Sequence, residues 1–121
     1  MTPTERRKSP RIHDEGLSLK LKGGDFDIMT HTLNLSASGI YCKVEKEIPL
    51  MSRVRLMLMI TDPTRDGKPQ PVEVEGVVVR QHPVIIDGRV KHYDVAIFFE
   101  NLEAKTRDAI AGYINRKNAQ A

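Results

Sequence analysis

The chain has 121 residues, 40% hydrophobic and 29% charged, which fits one domain with its own core and excludes a disordered tail or two separately cored domains. Its formal net charge of +3 suits an anionic partner without demanding one. The single cysteine, Cys42, allows no internal disulfide and argues against structural zinc, and no apolar run approaches the ~20 residues that cross a bilayer, so a cytoplasmic protein without membrane insertion is expected.

The first stretch, residues 1–14, holds Pro3, Pro10, Arg6, Arg7, Lys8 and Arg11 and has no apolar period. It reads as a flexible basic arm, extended around Ser9 because Pro10 disfavours helical angles there. The barrel-forming part is expected over residues 15–121. Leu17, Leu19 and Leu21 alternate with Ser18, Lys20 and Lys22 as a half-buried strand does, and Gly23-Gly24-Asp25 supplies the turn to a partner strand from Phe26 to Leu35. The apolar parity changes between Phe26/Ile28 and Leu33/Leu35, which predicts an inserted bulge residue.

Ile40, Cys42 and Val44 predict a third strand, and Val54, Leu56, Leu58 and Ile60 a fourth with Arg53 and Arg55 outward. A proline-rich loop is expected from Thr61 to Pro71, then a fifth strand from Val72 to Gln81. Asp87-Gly88 is a strong two-residue hairpin signal and joins Val84-Ile85-Ile86 to a last strand whose buried face is Val95, Ile97 and Phe99. Beyond it Leu102, Thr106, Ile110 and Ile114 recur every fourth residue, predicting one helix over about 102–117, of which some 13 residues close the domain, with Asn101 as its cap. Short strands followed by one helix predict a mainly β fold, a small antiparallel barrel or sandwich with the helix across an opening or face. Met57 and Met59 lie on the parity opposite Leu56 and Leu58, so they form either an apolar patch for a partner or dimer, or a surface covered by another element.

No group in the sequence has the spacing of a catalytic or metal site. His13, His31, His82 and His92 are scattered, and no serine or cysteine is paired with a base. Glu73 and Glu75 share a strand face, as do Asp25 and Asp27, and an open face does not shift carboxylate pKa values toward acid/base work. The chain is not expected to be an enzyme.

Two motifs carry chemistry instead. Arg7-Lys8-Ser9-Pro10-Arg11 holds two guanidinium groups about 13 Å apart on an extended chain, suited to clamping phosphates and the O6/N7 edge of a guanine. Asn34-Leu35-Ser36-Ala37-Ser38-Gly39 ends a strand with Asn34 and Ser36 on one face and Leu35 on the other. Gly39 permits a turn or a close approach that a side chain would obstruct. Arg-x-x-x-Arg alone is common by chance and the second motif is less so; both in this order, around these strands, are rare.

Together, Arg6-Arg7-x-x-x-Arg11 and Asn34-x-Ser36-x-x-Gly39 resemble the paired signature of PilZ domains, bacterial receptors for cyclic di-GMP, and the resemblance extends through Gly76-Val-Val-Val-Arg80, Tyr93 to Phe99 and the helix. It implies a six-stranded antiparallel barrel with a C-terminal helix. It also implies that Arg7 and Arg11 bind a guanine edge and phosphates, that Asn34, Ser36 and Gly39 line the ligand, and that Arg80 flanks a base. Arg6 stands where similar domains tune whether one or two stacked ligand molecules bind, and arginine is compatible with two. Asn34 replaces a frequent aspartate, and Ala96 a frequent glycine.

The resemblance implies a ligand-operated switch with no other cofactor. The arm is expected to be mobile without nucleotide, to fold over the barrel with it, and to signal to an unidentified downstream protein controlling motility, adhesion or polysaccharide production. A monomer or weak dimer is expected. Two alternatives stand beside it: a nucleotide-independent adaptor of the same fold, and a nucleic-acid-binding barrel, against which the shortage of surface aromatics weighs.

Overall fold

Period-two patterning on strand after strand dictates sheets whose one face is apolar, and a sheet with only one buried face covers it by closing on itself. In the computed structural model of the chain, residues 11–12, 17–24, 27–61 and 69–120 are described. The elements are β1 (Arg11–Ile12), β2 (Ser18–Lys22), β3 (Asp27–Ser36), β4 (Gly39–Val44), β5 (Arg53–Thr61), β6 (Pro69–Ile86), β7 (Arg89–Glu100) and α1 (Ala104–Gln120). Pairing runs β3-β2-β5-β6-β7-β4, and β4 pairs back onto β3, so six strands close an antiparallel barrel. The short β1 adds to β3 from outside this ring, with Arg11 opposite Ser36 and Ile12 opposite Leu35.

The alternating residues meet inside. Leu19, Leu21, Leu35, Cys42, Leu56, Leu58, Val78 and Val95 are fully buried, and Val44, Val74, Ile97 and Phe99 complete the lining. Each such side chain contributes about 1.5–3 kcal/mol on leaving water, which is why the alternation fixes strand register so firmly. Helix α1 lies against β1, β3, β5 and β6 and inserts Ile110, Tyr113 and Ile114 into the core. Ile48, from the β4–β5 connection, is also fully buried.

The parity change foreseen in the second hairpin is real: the β3–β4 register shifts between Thr32 and Asn34, leaving Leu33 as the extra residue. Asp87 and Gly88 take φ of 53° and 77°, as the tight hairpin turn requires. Three expectations are corrected. Val72–Gln81 and Val84–Ile86 are parts of one 18-residue strand, and its start at Pro69 puts Pro69 and Pro71 in a strand rather than a loop. The helix has 17 residues and starts at Ala104. Asn101 does not cap it: Asn101 sits in the left-handed region at φ 51°, and the first helical bond runs from Arg107 N–H to Glu103 O. Asparagine accepts that conformation more readily than most residues, so the same residue type that caps helices here turns the chain out of β7.

Met57 and Met59 are half-buried. Met57 lies opposite Lys20 and Glu73, and Met59 opposite Pro71, so their neighbours' side chains partly cover them. The residues after β4 are pinned to β6: Met51 N–H donates to Val78 O at 2.7 Å, Val78 N–H to Ser52 O at 3.0 Å, and Ile48 N–H to the Gln81 side-chain oxygen at 2.6 Å.

Candidate ligand-binding face

The β1–β3 pairing brings the last residue of the first motif, Arg11, to the second. Arg11 and Ser36 are 25 positions apart in the chain and occupy facing register positions. The rest of the arginine motif, with Arg6 and Arg7, lies outside the described residues.

Ser36 ends β3, and its hydroxyl is turned back into the turn that follows. Ser38 N–H donates to Ser36 Oγ at 3.3 Å, Ser36 Oγ reaches Gly39 O at 3.4 Å, and the two hydroxyls of Ser36 and Ser38 lie 3.2 Å apart. These bonds are a local serine turn, which explains the serine at this position without any ligand. Gly39 has an equally plain structural reason. A Cβ there would stand 2.6 Å from Ile97 O, so only glycine lets β4 start this close to β7. Its φ is not in the positive region.

Asn34 is different, since nothing local explains it. Its amide oxygen is inaccessible and has no hydrogen-bond partner among the described residues. A buried acceptor left unmatched costs about 1–3 kcal/mol, and among the described residues Thr32 Oγ1 and Asp94 Oδ1 are in the same state.

Register then shows what Asn34 belongs to. It faces Tyr41 on β4, Tyr41 faces Ala96 on β7, and Ala96 faces Arg80 on β6. Cross-strand partners share a face, and the next row, Leu35, Ile40, Ile97 and Val78, is core, so Asn34, Tyr41, Ala96 and Arg80 form an outward row. Three strand spacings of ~4.8 Å put Asn34 and Arg80 roughly 14 Å apart. Beside this row Gly39 faces Phe98, which is 54% exposed. Arg80 is exposed and follows the β6–β7 irregularity at Val79.

The face therefore offers hydrogen-bonding groups at one side, a guanidinium at the other, and small residues and two aromatic rings between. Tyr41, Ala96 and Phe98 were not among the sequence-based site residues. Tyr41 and Phe98 had left a signal, an aromatic on the outward parity of an otherwise regular strand. What joined them to Asn34 and Arg80 is register, which no local pattern contains.

Burial, and secondarily the Asp94 carboxylate, push the Cys42 thiol up to about 12, so it stays protonated and unreactive near neutral pH. Glu73 and Glu75 are exposed, with Glu73 Oε1 3.2 Å from Arg55 Nε. Among the described residues no cluster of His, Cys, Asp and Glu has the makings of a metal site, and no helix is long and apolar enough to cross a membrane.

Comparison with known proteins shows the family and the fold. A family model described as PilZ domain matches residues 5–116. Among solved structures, the chain resembles the Bacillus subtilis inhibitor of motility, MotI/DgrA, at 20% identity and a TM-score of 0.78, covering 99% of this chain and 57% of that one. It also resembles the K. pneumonia MrkH–c-di-GMP complex, at 12% identity and a TM-score of 0.69, over 95% of this chain and 53% of that one. The PilZ domain of Escherichia coli YcgR with c-di-GMP matches at 13% identity and a TM-score of 0.65, over 95% of both chains. The chain thus spans little more than half the length of MotI and MrkH. No curated protein is matched by the sequence.

Proposed function

The chain belongs to the PilZ domain family, and from that premise we propose that it is a cyclic di-GMP receptor whose bound state is read by a partner protein. The observation that supports this reading is the β1–β3 register, in which Arg11, the last residue of the arginine motif, faces Ser36 of the Asn-x-Ser-x-x-Gly motif. Solved structures of the same fold include c-di-GMP complexes, those of MrkH and the YcgR domain among them.

The chemistry of the dianionic dinucleotide matches the face. Arg7 and Arg11 supply planar donors for phosphate oxygens and for a guanine O6/N7 edge. Asn34 offers an acceptor already removed from water, whose cost is recovered when a guanine N–H or an arm guanidinium donates to it. Arg80 closes the far side, and the Tyr41 and Phe98 rings provide surfaces on which a base stacks. Ser36 and Gly39 act one step back, by shaping the turn that presents Asn34. Arg6 extends the cationic run and favours a second stacked nucleotide.

Engagement of the arm's arginines draws residues 5–12 over the outward row and changes the surface on that side of the barrel. The differential affinity of the ligand for this closed arrangement is what shifts the population. A cytoplasmic setting follows from a soluble second messenger.

Calorimetric titration with cyclic di-GMP tests the reading. Micromolar or tighter binding is expected, with a loss of at least about tenfold in Arg7→Ala, equivalent to one charge-assisted hydrogen bond. A single-stranded oligonucleotide should not bind. Absence of nucleotide binding by the folded protein would reject the receptor and leave a nucleotide-independent adaptor.

A further inference from the structure

Strand β5 carries two outward arginines, and they stand in different surroundings. Arg55 faces Glu75 in register, and its Nε lies 3.2 Å from Glu73 Oε1. Arg53, one pleat step earlier and exposed, faces Val77 instead, and among the described residues its guanidinium has no ion-pair partner. Its backbone is nevertheless fixed. Met51 N–H donates to Val78 O and Val78 N–H to Ser52 O, which pins the chain to β6 just before β5 begins.

Register carries Arg53 onto the face described above. Val77 faces Phe98 on β7, and Phe98 faces Gly39 on β4. The neighbouring row of Val78, Ile97 and Ile40 is core, whereas Val77 is outside the core cluster and Phe98 is exposed. Arg53, Val77, Phe98 and Gly39 therefore form a second outward row beside that of Arg80, Ala96, Tyr41 and Asn34. Three strand spacings of ~4.8 Å put Arg53 roughly 14 Å from Gly39, and two put it roughly 10 Å from Phe98, across Val77. The carboxylates that follow along this face, Glu75 and Glu100, face each other one pleat step further from the Asn34 row, and Arg55 is the cation in register with them.

We infer that Arg53 is a further nucleotide contact: its guanidinium binds a phosphate of the nucleotide whose base stacks on Phe98, on the β5 side of the face, where neither sequence motif supplies a donor. The inference rests on the receptor reading and adds to it a residue that the motifs do not contain. A guanidinium meets two phosphate oxygens with two parallel N–H donors, a match that a lysine does not offer. Arg53 breaks no ion pair to make this contact, whereas Arg55 would have to leave Glu73. Pairing to β6 holds the Arg53 backbone in place before ligand arrives, so only the side chain is ordered on binding.

The test titrates cyclic di-GMP into the natural chain, Arg53→Ala, Arg53→Lys, Arg55→Ala and Arg7→Ala. Arg53→Ala should weaken binding about tenfold, and Arg53→Lys less, because it keeps the charge and loses the fork. Arg55→Ala removes the same charge from the same face and should change affinity about twofold at most. At saturation the Arg53 Nε–H resonance should shift and that of Arg55 should not. Thermal midpoints without nucleotide should stay within a few degrees of the natural chain for both alanine variants, because both arginines are exposed. Equal losses in Arg53→Ala and Arg55→Ala would reduce Arg53 to one charge in a general field and overturn the inference. Natural affinity in Arg53→Ala, beside lost binding in Arg7→Ala, would overturn it and leave the receptor reading standing. A folded natural chain that binds no nucleotide would remove both.

Discussion

The six residues of the Asn-x-Ser-x-x-Gly motif do not act alike. Gly39 and Ser36 hold the turn, through a clearance of 2.6 Å to Ile97 O that forbids a Cβ and through hydroxyl bonds within residues 36–39. Within the motif, Asn34 is the residue with a buried polar atom unmatched among the described residues. Gly39→Ala should therefore cost about 1–3 kcal/mol and lower the thermal midpoint, whereas Asn34→Ala should leave stability unchanged or raised and weaken nucleotide binding about tenfold or more. Thermal melts and titrations of the two variants check this directly. A Gly39→Ala protein with an unchanged melt would return the glycine to ligand contact.

Cys42 carries a second prediction at this scale. Its thiol is raised from 9.0 to about 12 in the folded protein, first by burial and then by Asp94. Between those values the native state keeps a proton that the unfolded state releases. Stability from this group is complete below pH 9.0 and declines as pH rises toward 12. Urea midpoints should fall over that range in the natural chain and fall less steeply in Cys42→Ala. A thiol reagent should modify Cys42 only on unfolding.

Among the elements, helix α1 contributes packing rather than chemistry. Ile110 and Ile114 are fully buried, one turn apart, while Thr106, a turn earlier, is only half-buried. Ile110→Ala should cost about 2–5 kcal/mol through lost burial and a residual cavity, and Thr106→Ala less than about 1 kcal/mol, as equilibrium denaturation will show. The β6–β7 hairpin behaves differently along its length. Its barrel half is flanked on both sides, and among the described residues its tip is flanked by no further strand, so amide protection should fall off from Gln81 toward Asp87.

For the whole molecule, the proposed receptor function predicts a change in stability when nucleotide binds. Any ligand that binds only the folded state raises stability by mass action. Cyclic di-GMP at about 100 times its dissociation constant should add about 2.7 kcal/mol, or roughly 10 °C for a domain this size. Arg7→Ala should lose that shift, and Arg80→Ala should reduce it, in thermal melts of each protein with and without nucleotide.

Much of this was legible in the residues because strand burial is a period-two property. Leu17/Leu19/Leu21, Val54 to Ile60 and Val95/Ile97/Phe99 announce both their strands and their buried faces, and the parity change near Leu33 announces the bulge. Asp87-Gly88 announces its turn because few residue pairs accept two positive φ values. Asn101 misled because one residue type serves both as a cap and in the left-handed region, and only the position of the first helical bond separates the two. The prolines at 69 and 71 misled because a proline tolerated on a strand looks, one residue at a time, like a proline in a loop.

The sequence by itself determined the barrel strands, the inward faces, the closing helix and the two motifs, since each depends on neighbours a few positions away. Tertiary structure alone decided that Arg11 faces Ser36, that Asn34, Tyr41, Ala96 and Arg80 share one outward row, and that the β6–β7 tip extends past its neighbouring strands among the described residues. The physical reason is that closure is a long-range condition. Which strand meets which, and where each pairing stops, follows from how six apolar faces fill one interior together, and no single strand contains that information.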